Sequence, residues 1–182
     1  MPRFFPLLLC FLAWTSPALS AEESMTEGFI NAPLAEVWSL FTSADGLRRA
    51  GAAEAEVDLN VGGVIRTHAD PRGKLGDANT TTQRILAFDP ERMLALRIEQ
   101  APSNLPGREA IGDAWTVMYF AAAGEAMTHI RIVGLGFDDD PASQELRQHL
   151  EATHRTVLTR LAKPYWPTCA LCKAPSGASD TR

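Results

Sequence analysis

The stretch from Ala53 to Leu135 limits the fold most narrowly, because it reads as strand after strand with turn signals between them. Ala55 to Asn60 and Val64 to Ala69 flank Gly62-Gly63, and Ala114 to Ala121 and Met127 to Leu135 flank a turn around Gly124. Between these lie Thr80 to Phe88 and Met93 to Glu99, joined by Asp89-Pro90-Glu91-Arg92, where proline pre-sets φ at the second turn position. Three successive hairpins predict an antiparallel sheet. In the strand from Met93, Leu94, Leu96 and Ile98 alternate with Ala95, Arg97 and Glu99, the period of a sheet with one dry and one wet face. Trp115, Val117 and Tyr119 share one face of the next strand, and Ile130 and Ile132 oppose His129 and Arg131 in the last. The polar, glycine-punctuated segments Asp70 to Asn79 and Ala101 to Gly112 read as loops.

Helices are expected on both sides of this block. Asp139 or Asp140 can cap a long helix that begins at Pro141, runs to about Lys163 and carries Leu146, Leu150, Val157 and Leu161 as one apolar stripe. Upstream, Glu22 to Ile30 reads as a strand, and Ala32-Pro33 opens a helix with Leu34, Val37, Trp38, Leu40 and Phe41 on its buried face. Ser43 can cap a second short helix ending near Gly51. The order is strand, two short helices, six strands, long helix: an α+β domain.

The two ends read differently. Residues 1–20 have the form of a secretory leader: Arg3 follows the start, Phe4 to Trp14 is almost wholly apolar, Pro17 breaks the run, and Ala18-Leu19-Ser20 suits cleavage before Ala21. The apolar run is shorter than the roughly 20 residues a spanning helix needs, so stable membrane insertion is not expected. The mature chain is expected to be periplasmic or secreted. Its 22 acidic residues outnumber the 17 basic ones of the full chain, one of which is the leader's Arg3. That balance supplies no basic field for phosphate backbones, and nucleic acid is not an expected partner. The domain is placed at residues 22–165, followed by a cysteine-containing tail over 166–182 whose Ser/Gly/Ala-rich end, after Lys173, lacks the apolar content to fold.

Ile30-Asn31-Ala32-Pro33 followed by Glu36-Val37-Trp38, and Ile85 to Leu94 reading ILAFDPERML, resemble the "APxxxVW" opening and the "V-E-x-D-P-P-R-x-L" hairpin of the START-like (SRPBCC, helix-grip) superfamily. The chain is most similar to the branch named for activators of a heat-shock chaperone ATPase (AHSA) and to its polyketide-cyclase neighbours. It departs from that branch at Arg49-Ala50-Gly51, where aromatics are common. The resemblance implies a curved antiparallel sheet of about seven strands wrapped around the C-terminal helix. It also implies a cavity between sheet and helix for an apolar molecule, because a curved sheet cannot press its whole concave face onto one straight helix.

The expected cavity lies between Leu96, Ile98, Trp115 and Val117 on the sheet and Leu150, His154 and Val157 on the helix, with Trp38 closing one side. Trp38 and Trp115 also fit a core role, since aromatics dominate core burial. His149 and His154 are five apart, about 140° around a helix, and no histidine sits in a metal motif, so no metal is expected. Arg84 and Arg97 read as solvated sheet arginines. There is no G-x-S-x-G elbow, glycine-rich phosphate loop or paired carboxylate, so no catalytic residue or cofactor is assigned. Cys169 and Cys172, the only cysteines beyond the leader, are read as a structural disulfide over a redox pair or a haem attachment, since Lys173 stands where haem attachment needs histidine. The function expected is an exported carrier of a hydrophobic small molecule, with a cyclase or dehydratase using the same cavity as the alternative.

Overall fold

The computed structural model describes residues 23–166. The leader assigned to residues 1–20, the tail beyond Trp166 and the Cys169–Cys172 pairing lie outside the described residues. Seven strands, β1 (Ser24–Ile30), β2 (Glu54–Val57), β3 (Val64–His68), β4 (Thr81–Asp89), β5 (Met93–Gln100), β6 (Trp115–Gly124) and β7 (Met127–Leu135), form one antiparallel sheet. Its order is β1-β7-β6-β5-β4-β3-β2, so the hairpins pair as the turn signals dictate and β1 closes the far edge beside β7. Register shifts in β4–β5, after Thr82 and after Ile85, and in β6–β7 after Ala122 add unpaired residues on one strand. Such bulges bend a sheet, and this one curls into a half-barrel.

Helices α1 (Leu34–Thr42) and α2 (Ala44–Ala50) link the two edges, and α3 (Pro141–Ala162) lies in the concave side. The break between α1 and α2 is written at Ser43, whose extended backbone ends one helix and whose Oγ accepts from the Gly46 N–H at 3.1 Å to start the next. Gly46 has no alternative: a Cβ there would lie 2.3 Å from the Leu40 carbonyl oxygen. At the start of α3 the Asp140 carboxylate accepts from the N–H groups of Ala142 and Ser143 at 3.0 and 3.1 Å. Toward its C-terminus, α3 buries Leu158 and Leu161, with Leu158 seated over Gly28 of β1, where a Cβ would crowd it at 3.3 Å.

Two apolar clusters result. The larger joins Trp38 and Phe41 of α1, Phe120, Ile130 and Ile132 of the sheet, and Leu158 and Leu161 of α3. Trp38 and Phe41 each meet the Phe120 ring edge-on, with centroids at 5.2 and 5.3 Å. The smaller gathers Ala114, Phe137, Leu146 and Leu150, with Leu105, Ala110 and Ile111 of the β5–β6 loop. That loop includes a single 3-10 turn, Arg108–Ala110.

One strand sits with the opposite face inward from that expected. Thr116, Met118 and Phe120 point to the concave side, while Trp115 is 47% exposed and Val117 shares its outer face. Both sets alternate with period two, so β6 taken alone permits either orientation. Pairing decides it: Phe120 stands opposite Ile130 and Met118 opposite Ile132, both buried, which places Val117 opposite Val133 on the convex side.

Candidate functional site

Between the two clusters the concave face is not filled. A largely apolar, half-open cavity of about 530 Å³ remains there. Its floor is Ile65 and Thr67 of β3, Gln83 of β4, Leu96 and Ile98 of β5, Met118 of β6 and Ile132 of β7. Its roof is the face of α3 bearing Leu150, His154 and Val157. Phe41 and Leu47 close the side toward α1 and α2, and Ala101, Pro102 and Leu105 of the β5–β6 loop close the opposite end. The volume falls within the 300–1,000 Å³ range typical of small-molecule sites.

Of the residues expected around the cavity, the structure gathers Leu96, Ile98, Leu150, His154 and Val157 and leaves out three. Trp115 and Val117 lie on the other face of the sheet, for the parity reason given above. Trp38 is packed behind Phe120 as part of the core, and Phe41, one helical turn further along α1, takes the cavity wall. Spacing along α1 put both aromatics on the buried face, and only the position of Phe120 separates their roles. Met118, Ile65 and Gln83 were missed. Met118 was recoverable from the hairpin, since Ile132 faces inward and directly paired residues share a face.

His154 hangs from the roof with no hydrogen-bond partner among the described residues. Burial pulls its pKa down to about 4, so the imidazole is neutral near pH 7. His149, nearer the mouth, lies 3.5 Å from the Thr153 hydroxyl. His68 is 2% exposed and structural. Its Nε2 lies 3.1 Å from Asp77 Oδ1, and its Nδ1 lies 2.9 Å from the Asp70 carbonyl oxygen and 3.1 Å from the Asp70 amide nitrogen. A Cβ on Gly73 would lie 1.9 Å from the ring, so the β3–β4 loop folds tightly over His68 and fixes the rim. The N–H groups of Lys74 and Asn79 hold the Asp77 carboxyl below the usual carboxylate range. His129 is remote, stacked on Phe29 at 4.8 Å and 3.7 Å from Glu27 on the convex side.

Gly51 ends α2 at φ 121°, and the Arg160 guanidinium lies against it, donating to the Ala50 carbonyl at 2.7 Å. A side chain at position 51 would collide with that guanidinium. Arg84 is committed elsewhere, forked onto Glu99 at 2.8 and 2.6 Å, which holds the Glu99 carboxyl below its ordinary range. Among the described residues no group of three or more His, Cys, Asp or Glu could hold a metal ion, and no helix is long and apolar enough to cross a membrane.

A curled antiparallel half-barrel gripping a C-terminal helix over an apolar cavity defines a helix-grip domain of the START-like superfamily. Within it, the chain belongs to the family described as "Activator of Hsp90 ATPase homolog 1-like protein", whose model matches residues 31–163. No curated protein matches the sequence. Among solved structures, the Aha1 dimer from Colwellia psychrerythraea is similar at TM-score 0.61 and 13% identity, over 79% of this chain and 96% of that one. The AHSA1-like protein from Aeromonas hydrophila is similar at TM-score 0.57 and 15% identity, over 78% and 90%. The di-domain ARO/CYC protein BexL of the BE-7585A biosynthetic pathway is similar at TM-score 0.61 and 17% identity, over 78% of this chain and 45% of BexL.

Proposed function

We propose that this protein is an exported carrier that holds a hydrophobic small molecule between the concave sheet and α3. The observation that carries the reading is the hollow itself: about 530 Å³ stands unfilled where Leu96, Ile98, Met118 and Val157 converge. Interiors normally pack like organic crystals, so an apolar space of this size marks a place for a guest. Export rests on the basic, apolar and small-residue pattern of residues 1–21, and it sets the protein apart from a cytosolic ATP-driven chaperone. Native mass spectrometry of protein purified from its own host tests both parts. A co-purifying apolar compound and a mass beginning at Ala21 are expected. An apo-protein that binds no apolar fluorescent probe would refute the carrier, and retained Met1 would refute export.

A cyclase or dehydratase would use the same cavity, and His154 is the group that favours considering it. An imidazole titrating at about 4 is a weak base at neutral pH, well below the range suited to proton abstraction there. Binding therefore takes precedence over turnover.

A further inference from the structure

Several polar residues line the hollow. On α3, Thr156 donates to the Ala152 carbonyl and Thr153 lies against His149, while the side chains of His154 on the roof and of Thr67, Asn79, Thr81 and Gln83 on the sheet and its β3–β4 loop have no hydrogen-bond partner among the described residues. No Asp or Glu is among the lining residues, and the one formal charge is that of Arg160 at the edge beside Gly51. Arg160 already donates to the Ala50 carbonyl.

We propose that the hollow accepts an apolar molecule carrying one uncharged oxygen function, a hydroxyl or a carbonyl, and that the His154 imidazole holds this oxygen. The inference rests on the ligand-binding reading above and adds the chemistry of the ligand's polar group. His154 lies four residues after Leu150 and three before Val157, so the three share one helix face, with the imidazole set among apolar neighbours. A hydrocarbon guest would strip water from that ring and leave it unpaired, which forfeits the value of a hydrogen bond. A hydroxyl or carbonyl pairs with it in either tautomer, because the neutral ring offers one donor and one acceptor. Burial favours this neutral form. An ammonium would enter a space with no counter-charge and with Arg160 at its edge, a large desolvation penalty without compensation. A deep carboxylate would likewise meet only neutral groups, since the guanidinium is fixed at the rim.

The test is displacement of an apolar fluorescent probe at neutral pH by naphthalene, naphthol and naphthylmethylamine. It is run on the wild type, on His154→Phe, which keeps the ring shape, and on His154→Gln, which keeps a hydrogen-bonding group. The ratio of naphthol to naphthalene affinity should fall about tenfold in His154→Phe and recover most of that loss in His154→Gln. The amine should bind at least about tenfold more weakly than naphthol to the wild type. Nitrogen-15 resonances of the His154 ring should shift on adding naphthol and stay in place with naphthalene. An unchanged ratio in a folded His154→Phe, an unmoved ring resonance with naphthol bound, or an amine that binds as well as naphthol overturns the assignment while leaving the carrier reading standing. Failure of the folded wild type to bind the probe at all overturns both.

Discussion

The concave side of the sheet has a filled half and a hollow half, and the same seven strands build both. Under α1 and the C-terminal turns of α3, Phe120 is gripped by Trp38 and Phe41, with Ile130, Leu158 and Leu161 sealing the space. Under the middle of α3, Leu96, Ile98 and Met118 face open space across from His154. The two halves differ in what covers them. α1 brings large aromatics onto the first, while the second is roofed by α3. Side-chain packing is concentrated in the first half, and open space in the second.

The sharpest way to break this division is Phe120→Ala. Loss of a buried ring shared by two aromatic neighbours should destabilise the protein by about 3–5 kcal/mol in denaturant titration. A loss below about 1 kcal/mol would mean that the filled half is not the stabilising one.

A comparable effect should come from acid acting on the hollow half. The folded-state pKa of His154 is lowered from 6.5 to about 4, so the unfolded chain takes up this proton first as pH falls. Its contribution is fully present above pH 6.5 and is lost progressively between 6.5 and about 4. The whole loss is about 3 kcal/mol. The carboxyls of Asp77 and Glu99 are also lowered, so acid removes their contribution as well, but only at pH below their ordinary values of 3.8 and 4.5. Stability measured from pH 7 downward should therefore fall in wild type and stay flatter through this window in His154→Phe. Identical slopes would contradict a desolvated His154.

Filling the hollow should separate stability from binding. Met118→Trp puts bulk into the cavity and should abolish apolar-probe binding at a cost of no more than about 1–3 kcal/mol from overpacking. Retained probe affinity in the folded variant would place the guest elsewhere.

The smallest effect is expected on the outer face. Trp115→Thr should change stability by no more than about 0.5 kcal/mol and leave probe binding unchanged, since that ring is already half exposed. A large loss of binding would restore the opposite parity for β6.

The amino-acid sequence by itself determined the architecture, because the determinants there are local. Pro90 and Gly124 set turns, Ser43 and Asp140 cap helices through their own next residues, and the apolar stripe on α3 repeats within a few turns. It also determined most of the cavity wall on α3 and β5, where only one face is apolar. What only the tertiary structure decided depends on contacts between distant segments. The face of β6 turned inward was settled by pairing with Ile130 and Ile132, since two interleaved apolar sets fit either way in isolation. The separate roles of Trp38 and Phe41 were settled by Phe120, which lies far along the chain in β6. The neutral, unpaired state of His154 follows from its burial in the space left between α3 and the curled sheet, and no run of neighbouring residues encodes that gap.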